Sequence, residues 1–191
     1  MTSRYGKFFF FWVFSFLFLG CEPDVPKNRY DVSECKKELL EAKHFQEEMR
    51  IDYIVVHKKE RMMYLYKAEV MIQKIPISLS KNPLGHKVKQ GDCRTPEGEY
   101  FIRKKICSPK YYRSLSISYP RPIDKKIAKE KGLKAGGDIT IHAQPKWNAN
   151  GKSDDYTLSK DWTRGCMAVS NNIMKELWYA VDEGIPIIIK E

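Results

Sequence analysis

Cys166 and His142 are the two residues whose types and surroundings could carry out covalent catalysis. Cys166 follows a glycine in the run Thr-Arg-Gly-Cys-Met, and His142 ends a strand-like run further upstream. The thiolate is the reactive form of cysteine, and an imidazole that accepts the thiol proton makes it available near neutral pH. Gly165 lets a substrate carbonyl approach the backbone closely beside the sulfur. The pair therefore predicts acyl transfer through a thioester.

The surroundings of Cys166 predict a lowered thiol pKa. The sulfur precedes an apolar segment that leads into a predicted helix, which would place it near the positive end of a helix dipole. The neighbouring cation Arg164 would lower the pKa further. In the alternative interpretation Cys166 is a buried, unreactive cysteine beside a glycine turn, and Arg164 is a solvated loop charge.

The elements that must position this pair predict a β-dominated domain with a few helices. Alternating or β-rich runs predict strands at 52–57, 62–67, 70–79, 100–106, 114–118, 138–142 and 185–189, and helices are predicted at 124–131 and 170–182. Alternation in 138–142 places Thr140 and His142 on one face of a strand. The polar stretch 144–160, between the histidine and the cysteine, predicts a long functional loop that covers a cleft.

The N-terminus predicts export from the cytoplasm. A positive start is followed by an apolar run at 8–19, shorter than the roughly 20 residues that span a bilayer. The run ends at Gly20-Cys21, which resembles a bacterial lipoprotein signal with Cys21 as the lipidated mature terminus. Ordinary cleavage and an uncleaved anchor are the alternatives. We therefore divide the chain into a signal segment (1–20), a tether with a short helix (21–50) and a domain (51–191).

Three further cysteines and the charge complete the expectations. The helix predicted from Ser33 is either a spacer or packed on the domain. Cys93 and Cys107 flank a predicted strand, and they could either form a disulfide or be small buried hydrophobic residues. No cysteine or histidine cluster has metal-ligand spacing, so we predict no metal and no cofactor. The net charge of +10 suits an anionic surface such as the cell envelope. The chain has no zinc finger or recognition-helix pattern, which argues against nucleic acid as a partner.

Four separated motifs together resemble the L,D-transpeptidase catalytic domain, also called the YkuD domain. They are Gly-Gly-Asp-Ile-Thr-Ile-His at 136–142, Asp-Trp-Thr-Arg-Gly-Cys-Met-Ala-Val-Ser-Asn at 161–171, Gly-Asp-Cys-Arg-Thr-Pro-Glu-Gly-Glu-Tyr at 91–100, and Ser-Ile-Ser-Tyr-Pro at 116–120. They occur in the family's order, and the resemblance covers about 51–191. It implies a mixed β-sandwich with a catalytic cleft under a loop lid.

The resemblance also implies a substrate and a mechanism. The Cys166 thiolate attacks the carbonyl of the third residue of a peptidoglycan stem peptide and expels the terminal D-alanine. His142 holds the thiol proton and is oriented by the backbone carbonyl of Ala143. Amides around Gly165 and Cys166 stabilise the oxyanion. An acceptor amine or water then resolves the thioester.

The sequence departs from many family members at Arg164, where they carry a second histidine. Arg164 is a candidate ligand for a stem-peptide carboxylate, with Thr163 and Tyr119 as further substrate-binding candidates. The Trp-Thr-Arg-Gly-Cys form is similar to a branch that includes hydrolases, one of which releases a Braun-type lipoprotein from peptidoglycan. We therefore expect an envelope L,D-transpeptidase at the periplasmic face, anchored to the inner or outer membrane, with an envelope lipoprotein as a candidate acceptor or substrate. The alternatives are an L,D-carboxypeptidase or amidase, a non-catalytic peptidoglycan-binding lipoprotein, and a thiol redox protein with Cys93 or Cys107 near Cys166.

Overall fold

The structure, a computed structural model, describes residues 32–42, 50–111, 113–148 and 150–191. The predicted signal segment, the lipidation site Cys21 and the rest of the tether before residue 32 lie outside these ranges. Within them, no helix is long and apolar enough to cross a bilayer.

Eight strands form one mixed sheet in the order β3-β2-β1-β8-β4-β5-β6-β7. They are β1 (Tyr53–His57), β2 (Met62–Lys67), β3 (Val70–Pro76), β4 (Gly98–Ile106), β5 (Ser114–Ile117), β6 (Thr140–His142), β7 (Met167–Ala168) and β8 (Pro186–Lys190). The β1–β8 and β6–β7 pairs are parallel and the others antiparallel. The sheet curls until Ser78, just beyond β3, bridges to Ala168 in β7. The predicted β-dominated fold is confirmed, and its sandwich-like shape comes from one curled sheet.

The core lies inside the curl of this sheet. Strand residues that share the inward face are almost fully buried, among them Ile54 and Val56 of β1. The helix α4 (Asn171–Ala180) contributes Leu177 and Trp178, and the Ser170 hydroxyl caps it by accepting from the Ile173 amide at 3.2 Å. This helix sits where the sequence predicts it and ends two residues earlier.

The helix α1 (Val32–Ala42) packs on the domain, which is one of the two interpretations that the sequence left open. Cys35 is buried and forms a disulfide with Cys107, with a Cα–Cα distance of 5.7 Å. Glu38 pairs with the buried Arg113. The suggested Cys93–Cys107 disulfide is therefore wrong. Cys107 follows β4 and pairs with α1, whereas Cys93 lies in a left-handed turn and keeps a free thiol.

Short elements account for the other differences from the expected pattern. The polar stretch after His142 contains a 3-10 turn (Lys146–Asn148) and the helix α3 (Asp154–Leu158), and β7 has only two residues. The helix α2 (Pro122–Glu130) starts two residues before the expected position. Proline suits a first turn, and the Asp124 carboxylate accepts from the Arg121 amide at 2.8 Å.

Candidate active site

The register between β6 and β7 brings the sulfur of Cys166 and the ring of His142 to one face of the sheet. Met167 pairs with Ile141, and Ala168 pairs with His142, in parallel. Cys166 therefore lies level with Thr140, whose side chain shares a face with that of His142 two residues on. The Thr140 hydroxyl donates to the Cys166 sulfur at 3.5 Å.

His142 is held in one orientation by its backbone neighbour and by two aromatic rings. Its Nδ1 lies 2.8 Å from the carbonyl oxygen of Ala143, the contact that the family resemblance implies. Nδ1–H donates to this carbonyl in the neutral ring, which leaves Nε2 as the free base. The Tyr111 ring stacks on the imidazole with a centroid separation of 3.9 Å, and Trp162 meets its edge at 5.6 Å.

Burial keeps His142 neutral. The side chain is 1% exposed, and its desolvation lowers the pKa to about 4, with only partial compensation from the bond to Ala143. At neutral pH the ring is therefore ready to accept a proton.

Burial also raises the pKa of the Cys166 thiol, so the expected lowering is wrong in the free protein. Desolvation outweighs the stabilisation of the thiolate by the hydroxyl and the backbone amide of Thr140. The Asp138 carboxylate raises the thiol pKa further, and the cation that opposes it is Lys87 rather than Arg164. The thiol donates to the Asp138 carbonyl at 3.5 Å. The resting pair is thus a neutral thiol and a neutral imidazole.

The turn before Cys166 depends on glycine. Gly165 has φ +138°, and a Cβ there would lie 3.0 Å from both the Arg94 carbonyl oxygen and the Ile139 side chain. Thr163 closes the turn because its hydroxyl donates to the Cys166 carbonyl at 2.7 Å and accepts from the Gly165 amide at 3.3 Å. The Gly165 amide is therefore occupied within the turn.

Two cavities meet at Cys166. A cavity of about 540 Å³ extends along β4 and β5 and includes the cations Arg103, Lys104 and Lys110 in its lining. A second cavity of about 460 Å³ lies toward the 87–93 loop and includes Lys87 and Arg164. The two share Cys166 and the 137–139 segment, so a bound peptide can extend from the sulfur in two directions.

The three candidate substrate-binding residues differ in whether their polar groups are open to the cavities. Arg164 is exposed and lines the second cavity. Thr163 is buried, with its hydroxyl occupied by the turn before Cys166. Tyr119 touches the first cavity, but its buried hydroxyl donates to the Ala135 carbonyl at 2.9 Å. We therefore assign Thr163 and Tyr119 to the support of the site.

Three residues near the sulfur were missed by the sequence reasoning. Tyr111 lies between β4 and β5, and no motif surrounds it in the sequence. Its aromatic side chain was only a weak indication of a place in the cleft. Lys87 reaches the second cavity from a loop, where it pairs with Asp92 at 2.7 Å. Asp138 lies within the Gly-Gly-Asp motif, two residues before Thr140, and that spacing is a signal that could have placed it near the cleft.

A protein-family model matches most of the domain. The model of the L,D-transpeptidase catalytic domain matches residues 51–189. The chain belongs to this family. The putative L,D-transpeptidase YafK of Escherichia coli K12 is 31% identical to it over 79 residues, which cover 38% of the chain and 32% of YafK.

Solved structures share the fold. A mutant of the helical cell shape determining protein Pgp2 from Campylobacter jejuni has a TM-score of 0.55 and 25% identity, covering 74% of the chain and 47% of Pgp2. Bd1075 from Bdellovibrio bacteriovorus has a TM-score of 0.50 and 24% identity, covering 76% of the chain and 49% of Bd1075. The match spans about a third of YafK and about half of each solved chain.

Proposed function

We propose that this protein is a cysteine-dependent L,D-transpeptidase that acts on peptidoglycan stem peptides through a thioester at Cys166. The observation that carries the proposal is the placement of the Cys166 thiol beside Thr140, on the strand face of His142, where two cavities meet. Family membership supports a peptidoglycan-related acyl transfer, and the geometry supplies a nucleophile, a base and room for two peptides.

The proposed reaction starts from the neutral pair. As the sulfur of Cys166 attacks the carbonyl of the third stem-peptide residue, its proton passes to Nε2 of His142. The imidazolium, held by the Ala143 carbonyl, then donates this proton to the leaving amine of the terminal D-alanine. Because the Gly165 amide is occupied by Thr163, we assign the oxyanion to the backbone amide of Cys166. An acceptor amine then attacks the thioester and regenerates the thiol.

The charge of the cleft supports a peptide substrate that carries carboxylates. Within the described ranges, four cations without a buried partner line the two cavities, namely Arg103, Lys104 and Lys110 in the first and Arg164 in the second, whereas Lys87 in the second is buried and paired with Asp92. We assign Arg164 to a substrate carboxylate because it is exposed in the cavity and forms no ion pair among the described residues. The buried Ser116 hydroxyl lies in the wall of the first cavity and has no hydrogen-bond partner in the described part of the chain.

Covalent capture by a carbapenem tests the nucleophile and the base. Wild-type protein is expected to gain the mass of one carbapenem, and Cys166→Ala none. His142→Ala is expected to acylate about 10²-fold more slowly, the usual contribution of a positioned base. Cys93→Ser is the matched control, since it removes the other described free thiol and should label at the wild-type rate. Labelling of Cys166→Ala at an unchanged rate, or a loss below about threefold in His142→Ala, would overturn the respective assignment.

The cellular location of the protein is part of the proposal. We place the domain at the cell envelope, held by lipid on Cys21, because the apolar run before Cys21 ends in a lipoprotein-like signal. Cys21→Ser is expected to release the protein from membranes. If the variant remains in the membrane fraction with its signal intact, the segment is an uncleaved anchor instead.

A further inference from the structure

Asp138 is an acidic residue at the centre of an otherwise cationic cleft. It lines both cavities that meet at Cys166, and among the described residues no other Asp or Glu lines either one. The residue is exposed, and none of the described residues forms a hydrogen bond or an ion pair with its carboxylate. Its negative charge is close enough to the sulfur to disfavour the thiolate.

The backbone of Asp138 is fixed in an unusual conformation beside the nucleophile. Its φ is +56°, a left-handed value that costs a non-glycine residue roughly 1–2 kcal/mol and that Asp and Asn tolerate best. The Cys166 thiol donates to its carbonyl at 3.5 Å, and the next residue, Ile139, is buried. The carboxylate is therefore carried by a left-handed backbone position that contacts the sulfur through its carbonyl.

This placement has a cost in the free protein, since the carboxylate disfavours the thiolate that the reaction requires. Strain and electrostatic cost at one residue of a cleft indicate a role that appears when a ligand binds. The complementary ligand for an exposed carboxylate among cations is a cation that the substrate brings.

We propose that Asp138 binds the primary ammonium group on the side chain of the third stem-peptide residue, and so selects donors with a free amine at that position. The inference rests on the proposed function, in which Cys166 attacks the carbonyl of that same residue. The side chain of the attacked residue must then lie beside the sulfur, where Asp138 is. A non-reacting ammonium fits better than the acceptor amine, because a carboxylate keeps the bound amine protonated and a protonated amine is not a nucleophile.

The test compares two tetrapeptides that differ only by acetylation of the side-chain amine of the third residue. Release of terminal D-alanine is measured for wild-type protein, Asp138→Asn and Glu130→Gln. Asparagine keeps the shape and accepts the left-handed backbone, so the variant removes only the charge. Glu130 lies on α2, is exposed and lines neither cavity, so Glu130→Gln is the matched loss of one carboxylate and should behave as wild type.

We expect wild-type protein to prefer the free-amine peptide by at least about tenfold in kcat/KM, the lower end of the value of one hydrogen bond to a charged group. Asp138→Asn should lose this preference, because the free-amine peptide is slowed relative to the acetylated peptide in that variant. The same variant should react faster with a neutral thiol reagent, because a charge that disfavours the thiolate is gone. A purely structural role would slow both reactions.

An equal effect of Asp138→Asn on both peptides, or no effect, overturns the inference. If D-alanine release is unchanged and only the cross-linked product falls, the carboxylate contacts the acceptor amine, and the donor assignment is wrong. If wild-type protein releases no D-alanine, the proposed function fails. Binding of the two peptides to Cys166→Ala then tests the Asp138 inference independently of catalysis. The inference is supported if Cys166→Ala binds the free-amine peptide more tightly and Cys166→Ala/Asp138→Asn does not. It is overturned if Cys166→Ala binds both peptides equally well.

Discussion

Removal of the Cys35–Cys107 disulfide should cost a large part of the stability of the domain. The bridge joins residues 72 apart in sequence and links α1 to the end of β4. The loop-closure relation gives about 4 kcal/mol at 25 °C for a loop of this length. Since single domains are stable by roughly 5–15 kcal/mol, Cys35→Ala/Cys107→Ala should still fold, but with a much lower denaturation midpoint.

Urea unfolding followed by tryptophan fluorescence measures this loss. The double variant removes two thiols, so the control is Cys93→Ser, which removes a thiol that forms no disulfide. We expect a loss of about 4 kcal/mol for the double variant and less than about 1 kcal/mol for the control. A double variant within about 1 kcal/mol of wild type would refute the claim that α1 is covalently part of the folded domain.

The same variant should also be impaired at the active site, because α1 supports the strand around His142. Glu38 of α1 pairs with the buried Arg113, whose carbonyl accepts from the Ala143 amide at 3.1 Å. The Ala143 carbonyl in turn holds the imidazole. Loosening α1 should therefore slow acylation of Cys166. An unchanged rate in a destabilised variant would show that α1 contributes to stability alone.

Three further predictions concern the site itself. Because the pKa of Cys166 is raised, alkylation by a neutral reagent should increase about tenfold per pH unit from pH 6 to 8; a plateau between pH 5 and 7 would indicate a resting ion pair with His142. Because burial lowers the pKa of His142 to about 4, the folded state binds fewer protons at this ring than the unfolded state between pH 6.5 and 4. As the pH falls across that range, wild-type protein should lose on the order of 3 kcal/mol more stability than His142→Gln, which acid titration of the two unfolding midpoints will measure; equal losses would contradict the lowered pKa. Gly165→Ala should destabilise the protein by more than about 1 kcal/mol, and by more than the control Gly184→Ala. Both glycines have positive φ, but only at Gly165 would the new Cβ clash with the Arg94 backbone. Equal losses in unfolding free energy would mean that backbone strain from the positive φ is the sole cause.

Much of the fold could be predicted because its signals are local. Alternation in 138–142 placed Thr140 and His142 on one face, and the apolar stripe of α4 fixed its buried side. The two-residue strand β7 is too short to show alternation, yet its pairing with β6 sets Cys166 level with Thr140. The sequence could therefore nominate Cys166 and His142 as a pair, but it could not give the geometry between them.

The missed features depend on contacts between residues distant in sequence. Spacing gave no reason to pair Cys107 with Cys35 rather than Cys93, because the choice depends on where α1 packs. The charge near Cys166 suggested a lowered pKa, whereas burial of the thiol in the folded domain raises it. Tyr111 stacks on His142 from a segment that carries no motif.

Product analysis of one reaction tests the central claim most directly. The full chain, purified in detergent, is incubated with disaccharide-tetrapeptide, and the products are identified by mass spectrometry beside those of Cys166→Ala. The account predicts release of D-alanine by wild-type protein alone, together with a dimer linked through third-position residues. Tripeptide and D-alanine without the dimer would keep the thioester and identify a carboxypeptidase. Absence of D-alanine release, or equal release by Cys166→Ala, would contradict the account.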